Sequence, residues 1–302
     1  MKRRWFYIIC LTFLLLLPKW GRAQEKPLVV ASIFPLAELA KAVGGQEIEV
    51  KLLLPPGADP HSWEITPQDV LMMKKAKVLV AVGGGLEPWL DDFLGSFSSK
   101  NLNVIFMLPE KVKRVHRNHN HHYGLDPHVW LDFPRDIQFV ERLAQTFGKI
   151  FPTKKDIFLK NAKETQTKLK ALHEAYVKSL SSCSKKIVPL AGHKAFGYWE
   201  KNYGLHFVAL AGLSPEAEPT PKTLYQLIKI MKKEGLKAIY YDEPRYRKFA
   251  EVIAHETGAQ IFYLSSGAIL TQEEISKKVS FWDLMWRNLR YLCIGLECSC
   301  PN

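Results

Sequence analysis

The chain has 302 residues, with 42 lysines and arginines against 30 acids and a formal charge of +12. That length accommodates one large domain or two lobes with separate cores. The basic excess does not indicate nucleic acid. Residues 1–23 hold five basic residues and no acids, so without them +12 becomes +7, spread over stretches such as Lys154 to Lys178 that read as solvated helix faces.

The chain opens with Met1-Lys2-Arg3-Arg4, an apolar run from Trp5 to Leu17, and Gly21-Arg22-Ala23. This order describes a secretory signal peptide cut after Ala23. The alternative is an uncleaved membrane anchor, but the run is short of the roughly 20 residues a spanning helix needs. Cys10 lies inside the apolar run rather than behind a small-residue lipobox, which argues against a lipid anchor.

A mature chain would start at Gln24. Leu28 to Ile33 reads as a buried strand, Pro35 to Val43 as a helix with Leu36, Leu39 and Ala40 inward, and Ile48 to Leu54 as a second strand. Pro67 to Lys75 is a helix, and Val78 to Val82 and Asn103 to Met107 are strands. A helical stretch begins near Arg135 and is broken at Phe151-Pro152. From Lys154 to about Leu180 there is no Gly or Pro, and Phe158, Leu159, Ala162, Leu169, Leu172 and Tyr176 recur at helical spacing. Such a rod could bridge two lobes. Beyond it come strands at Lys186 to Leu190, Phe207 to Ala211, Ala238 to Tyr241 and Gln260 to Leu264, with helices at Lys222 to Glu234 and Arg247 to Glu256. The alternation predicts an α/β fold of two lobes, each a mostly parallel sheet flanked by helices, joined by one long rigid backbone helix. The expected divisions are residues 27–150, a linking helix over 152–182, and 186–302.

Ten histidines are present, five of them between His116 and His128. His116, His119, His121 and His122 lie in a polar stretch without periodicity, which reads as a loop over about 116–122. His61 and His128 each close an Asp-Pro-His tripeptide, and His193 follows Ala191-Gly192 just past a strand. Ligands of parallel sheets gather beyond the carboxyl ends of strands. Neutral imidazole suits zinc, and three imidazoles with one further ligand satisfy its tetrahedral preference. Each histidine taken singly also fits a turn cap or a packed core residue. His173 is expected at the surface, and His206 and His255 to be satisfied locally. Trp63, Trp130 and Trp199 near the three histidines fit either shielding from water or core packing.

Four cysteines follow residue 23: Cys183, Cys293, Cys298 and Cys300. In an oxidising compartment an even number suggests disulfides, and four allow three connectivities. Metal binding by Cys298-Ser299-Cys300 is the weaker reading.

Ala58-Asp59-Pro60-His61-Ser62-Trp63-Glu64, Leu125-Asp126-Pro127-His128-Val129-Trp130-Leu131-Asp132 and Ala191-Gly192-His193-Lys194-Ala195-Phe196 resemble motifs of the metal-binding solute receptors of ABC importers. Leu213-Ser214-Pro215-Glu216-Ala217-Glu218-Pro219 and Asp242-Glu243-Pro244 do so too. The zinc-uptake receptors, which carry a His-rich loop before the second motif, are the nearest match. The resemblance implies a monomeric periplasmic protein that carries Zn²⁺ to a membrane ABC permease, with His61, His128 and His193 as ligands. Many relatives have an Asp as fourth ligand where this chain has Ser265. That leaves water, Glu64, Glu243 or a loop histidine for the position. Asp59, Asp126 and Glu243 could instead accept the outer ring N–H of a ligand, or simply cap turns.

Mn²⁺ or iron is the alternative cargo, although manganese prefers more carboxylate oxygen. A secreted zinc hydrolase is the competitor from another class. It would need a general base, and no His-Glu-x-x-His helix is present. The near-equal spacings of 67 and 65 residues between the three histidines suit a two-lobed clamp better. For His116, His119, His121 and His122 there are three readings: capture of zinc, sensing of loading, or no required role. Loop imidazoles near their usual pKa of about 6.5 should lose metal below pH 6 before the core site does.

Overall fold

The structure, a computed structural model, describes residues 25–97, 101–108, 126–213 and 219–300. The leader and the histidines His116, His119, His121 and His122 lie outside the described residues.

The first half runs β1 (Leu28–Ala31), α1 (Phe34–Gly44), β2 (Glu49–Leu52), α2 (Pro67–Lys75), β3 (Val78–Ala81), α3 (Leu90–Ser96) and β4 (Asn103–Phe106). Its strands are all parallel, in the order β2-β1-β3-β4. After α4 (Phe133–Ile150) and α5 (Lys155–Ser181) the second half runs β5 (Ile187–Ala191), α6 (Gly197–Tyr203), β6 (His206–Ala209), α7 (Pro221–Glu234), β7 (Ala238–Tyr241), α8 (Arg247–Thr257), β8 (Gln260–Tyr263), α9 (Gln272–Ser276) and α10 (Phe281–Gly295). The order β6-β5-β7-β8 repeats the first sheet, again wholly parallel. Each sheet therefore reverses its winding beside its first strand, and loops at that switch point project from the carboxyl edge.

Local chemistry explains the element starts. Thr66 and Asp69, Thr220 and Thr223, and Ser280 and Asp283 form capping boxes that satisfy the first free N–H groups of α2, α7 and α10. Gly204, Gly235 and Gly258 end α6, α7 and α8 in the left-handed region, where a side chain would be strained.

Helix α5 spans 27 residues, roughly 40 Å. Its buried face is Phe158, Ala162, Thr165, Leu169, Leu172 and Tyr176, a strict four-three alternation. Leu159 falls off that face and is 38% exposed, against the sequence expectation. The helix packs on α1 and α4 of the first half and on α6 and α10 of the second. Tyr176 donates to the carbonyl of Met285 in α10 at 2.6 Å. One continuous apolar cluster thus runs from Val29 through Phe158 and Tyr176 to Leu292, so the lobes do not have separate cores. Smaller clusters cover the outer face of each sheet. Among the described residues no helix is long and apolar enough to cross a membrane.

Helices α3, α6, α9 and α10 were not anticipated. The last matters most, because it closes the core. A disulfide joins Cys183, just after α5, to Cys298, just after α10, while Cys293 is buried and free and Cys300 is exposed and free. The bond closes a loop across 115 residues. Replacing both Cys183 and Cys298 by serine is expected to lower stability by about 2–5 kcal/mol, read as a lower urea midpoint with a steeper slope, because the unfolded chain is freed to expand.

Candidate metal centre

The three histidines meet between the lobes. Ring centroids lie 5.3 Å apart for His61 and His128, 5.7 Å for His61 and His193, and 5.0 Å for His128 and His193. One nitrogen from each ring falls within 4.8 Å of the others. His128 and His193 are buried, and His61 is partly exposed.

Backbone turns set the approach of each ring. The Asp-Pro-His tripeptides share one bond, with Asp59 Oδ1 accepting from His61 N and Asp126 Oδ1 accepting from His128 N, both at 3.0 Å. Proline in each tripeptide cannot compete for that carboxylate because it has no N–H. His193 N donates to Asp242 Oδ2 at 3.2 Å, which ties the β5 loop to the end of β7.

The outer ring nitrogens are then occupied. His128 Nδ1 lies 2.7 Å from Asp126 Oδ1. A carboxylate only accepts, so the proton sits on Nδ1 and Nε2 presents its lone pair. His193 Nδ1 lies 2.6 Å from Asp242 Oδ2 and 3.1 Å from Glu243 Oε1. Both contacts are ion-pair approaches off the axis of the ring N–H. The two Nε2 atoms consequently face each other at 3.1 Å. Two lone pairs at that separation repel, so a cation belongs between them, either a proton or a metal ion.

Electrostatics gives the proton to His193. Burial pushes His61 down to about 3, helped by the neighbouring His128 and His193. Burial also lowers His128, against the pull of Asp126. For His193 burial acts downward as well, but Asp242 and Glu243 outweigh it and raise the ring to about 10. At neutral pH His193 Nε2–H therefore donates to His128 Nε2. Burial raises Asp242 in turn, while the His193 charge beside it pulls it back down.

Of the residues expected near the metal, Asp126 supports His128, Asp59 holds the His61 backbone, and Glu243 faces the outer nitrogen of His193. Glu64 is exposed and lines a different cavity, of about 660 Å³, with Trp89 and Phe93, so it is not gathered with the histidines. Trp130 is fully buried 5.3 Å from the His128 ring and donates to the Ser266 carbonyl, so it both packs and flanks the site. Trp199 is fully buried and donates to the Leu131 carbonyl, and Trp63 is partly buried. His173 is half-buried and contacts the Tyr203 hydroxyl at 3.1 Å, rather than lying free at the surface. His206 and His255 are exposed beside Glu200 and Glu256.

Asp242 was missed as a site residue. Its position at the carboxyl end of a strand, in Asp242-Glu243-Pro244, was the available signal. Gly192 was missed too. A Cβ there would lie 2.0 Å from Asp242 Oδ1. Gly192→Ala must therefore displace Asp242 from His193, and metal affinity is expected to fall roughly 10–100-fold, as for other lost supports of a ligand histidine. Competition with a chromogenic chelator reads this directly.

Comparison with known proteins agrees with the fold. The family description "Zinc-uptake complex component A periplasmic", ZnuA, matches residues 29–293. The chain belongs to the ZnuA family. It is 31% identical over 294 residues to the zinc-binding lipoprotein AdcA of Streptococcus pneumoniae, covering 94% of this chain but only 58% of AdcA. The Zn(II)-bound ZnuA-like domain of that protein superposes with a TM-score of 0.77 at 30% identity, over 90% of this chain and 99% of the domain. The high-affinity zinc uptake system protein ZnuA of Bacillus subtilis is 32% identical, covering 88% of this chain and 86% of that protein.

Ser265 stands where the resemblance implied an Asp ligand. The residue is fully buried, and its hydroxyl accepts from Gly267 N at 3.1 Å. Asn288 of α10 clamps its backbone with bonds of 3.0 and 2.7 Å. Ser265 is thus part of the scaffold under the site rather than one of the gathered ligands.

Proposed function

We propose that this chain is an extracytoplasmic zinc receptor, which captures Zn²⁺ on His61, His128 and His193 between its lobes and passes it to the membrane permease of an ABC importer. The observation that carries the reading is the opposed Nε2 pair of His128 and His193, each backed by carboxylate. Zinc at about 2.0–2.1 Å from each nitrogen, with tetrahedral angles, sets neighbouring donors roughly 3.4 Å apart. The pair at 3.1 Å needs little adjustment. Backing by Asp126 and Asp242 fixes the tautomers and makes the imidazoles stronger donors.

Water completes the coordination, since Ser265 is committed elsewhere and Glu243 faces the far side of His193 and Arg245. Three imidazoles without a gathered carboxylate favour zinc over manganese or iron. The capture of Zn(II) by relatives of about 30% identity supports the same cargo. A hydrolase would use the same open position, but Asp242 and Glu243 are engaged by His193 and Arg245, so neither is a free base. Residues 1–23 act as the leader that exports the chain, to be read from the mass of the secreted protein. His116, His119, His121 and His122, outside the described residues, serve as auxiliary metal-binding residues.

The test is metal content of the purified chain, followed by competition titration with zinc and manganese and by zinc uptake in cells lacking their own receptor. One tightly held zinc per chain and restored uptake are expected. A preference for manganese, or turnover of ester or peptide substrates, would overturn the assignment.

A further inference from the structure

The body of the protein holds His128 and His193 together. The segment carrying His128 is bonded to the opposite lobe four times over. Tyr198 donates to the Asp126 carbonyl at 2.9 Å, Trp130 to the Ser266 carbonyl at 2.7 Å, Trp199 to the Leu131 carbonyl at 2.9 Å, and Asn202 to Asp132 at 2.9 Å. Two of these bonds are buried and two partly buried, and together they make one unit of two rings.

His61 is held differently. It rides on the loop between β2 and α2, and its charged link to the far lobe is Asp59, whose Oδ2 lies 2.8 Å from an Arg245 guanidinium nitrogen. That guanidinium also reaches Glu243 Oε2. The two carboxylates each support a different ring. Asp59 Oδ1 accepts from His61 N at 3.0 Å, and Glu243 Oε1 lies 3.1 Å from His193 Nδ1. One cation thereby couples the backing of an imidazole in each lobe. Its side chain is 45% exposed, against 17% for Asp59 and 3% for Glu243. Arg245 also lines a cavity of about 880 Å³ between the lobes, together with Gly57, Asp59 and Glu243. Breaking the Asp59–Arg245 contact would therefore open it into water rather than into the core.

We propose that Arg245 is a latch: paired with Asp59 it holds the His61 loop shut over the His128–His193 pair, and its opening is the route by which the ion enters and leaves. This rests on the reading of the three histidines as zinc ligands. An ion pair of such exposure is weak. Weakness suits a gate, which must bias a loop towards closure and still release it. The welded pair supplies fixed affinity, and the latched third ring sets the rate. Arg245 is a positioning residue, since it acts through Asp59 and Glu243 and touches no ion.

Asp59→Asn keeps the oxygen that accepts from His61 N and removes the charge facing Arg245. Arg245→Met removes the cation but strands Glu243, so Asp59→Asn is the cleaner variant should the second fold poorly. Two rates are measured for each single variant and the double: zinc release into excess chelator, and acylation of His61 by diethyl pyrocarbonate in the metal-free chain. Both rates should rise roughly three- to tenfold in Asp59→Asn and at least as much in Arg245→Met, and the double should go no further than Arg245→Met alone, because the Asp59–Arg245 contact is already lost there. His128 and His193 should stay protected from acylation. Raising ionic strength should speed release in the unaltered chain and not in the variants. Unchanged release and labelling in Asp59→Asn would overturn the latch, as would faster labelling without faster zinc release, or additive effects in the double variant. If the unaltered chain bound no zinc while His61 labelling still followed Asp59 and Arg245, the loop clasp would stand and the zinc reading would fall.

Discussion

His128→Ala is expected to lower zinc affinity by roughly two to three orders of magnitude. Apparent binding energies of tetrahedral zinc sites run to about 10–16 kcal/mol, so one of four ligands accounts for about 3–4 kcal/mol, and each 1.4 kcal/mol is tenfold. The loss should sit at the upper end, because the ring is almost fully buried and its removal also leaves Asp126 without the N–H it accepts. His206→Ala serves as the control: that side chain is 69% exposed and stands with Glu200, away from the site, so affinity should not change. Competition against a chelator of known strength decides the matter. Equal affinity in the two variants would show that the ion is held elsewhere.

The second large effect is a proton released for each zinc bound. In the metal-free protein His61 and His128 are neutral at pH 7, since burial holds them down, to about 3 for His61. His193, raised to about 10 by Asp242 and Glu243 against its own burial, carries a proton that zinc must displace. Affinity should therefore fall about tenfold for each pH unit on descending from about 10 through neutrality, near a hundredfold between pH 8 and pH 6. A zinc-bound water would add a second proton only above about pH 7. Calorimetry in buffers of different ionisation enthalpy counts the protons directly. A count of zero at pH 6.5 would contradict the arrangement. The sign for stability follows from the same shift. A folded pKa raised above the unfolded 6.5 stabilises the metal-free chain fully below pH 6.5, and the contribution is lost as pH rises through about 10. Thermal stability of the metal-free chain should fall over that window. The zinc-loaded chain should not share the fall, because its His193 is already deprotonated. Any weakening of the loop histidines below pH 6 will be measured against a core site that is itself proton-sensitive.

Much of this molecule was legible in its residues. Alternating β-branched runs and helical spacings specify the parallel strands, and the Gly- and Pro-free stretch after Phe151 specifies the joining rod, because those signals are local and repeat every two or every three to four residues. The three histidines were legible for a related reason: each follows a tripeptide or strand end whose backbone aims a side chain off the carboxyl edge. The residues alone left the supporting cast open. Glu64 and Glu243 looked equivalent beside the histidines, yet one is exposed over a different cavity and the other is buried against His193. Asp242 and Arg245 act across gaps of 49 and 186 residues, and no local pattern records such a contact. Helix α10, whose Asn288 clamps Ser265 and whose end carries the disulfide partner of Cys183, belongs to the same class. Chain chemistry set which elements form and which rings can bind an ion. The packing of the two halves on α5 decided which carboxylates stand behind those rings, and hence which of them carries the proton, because burial and charge proximity are properties of the assembled core.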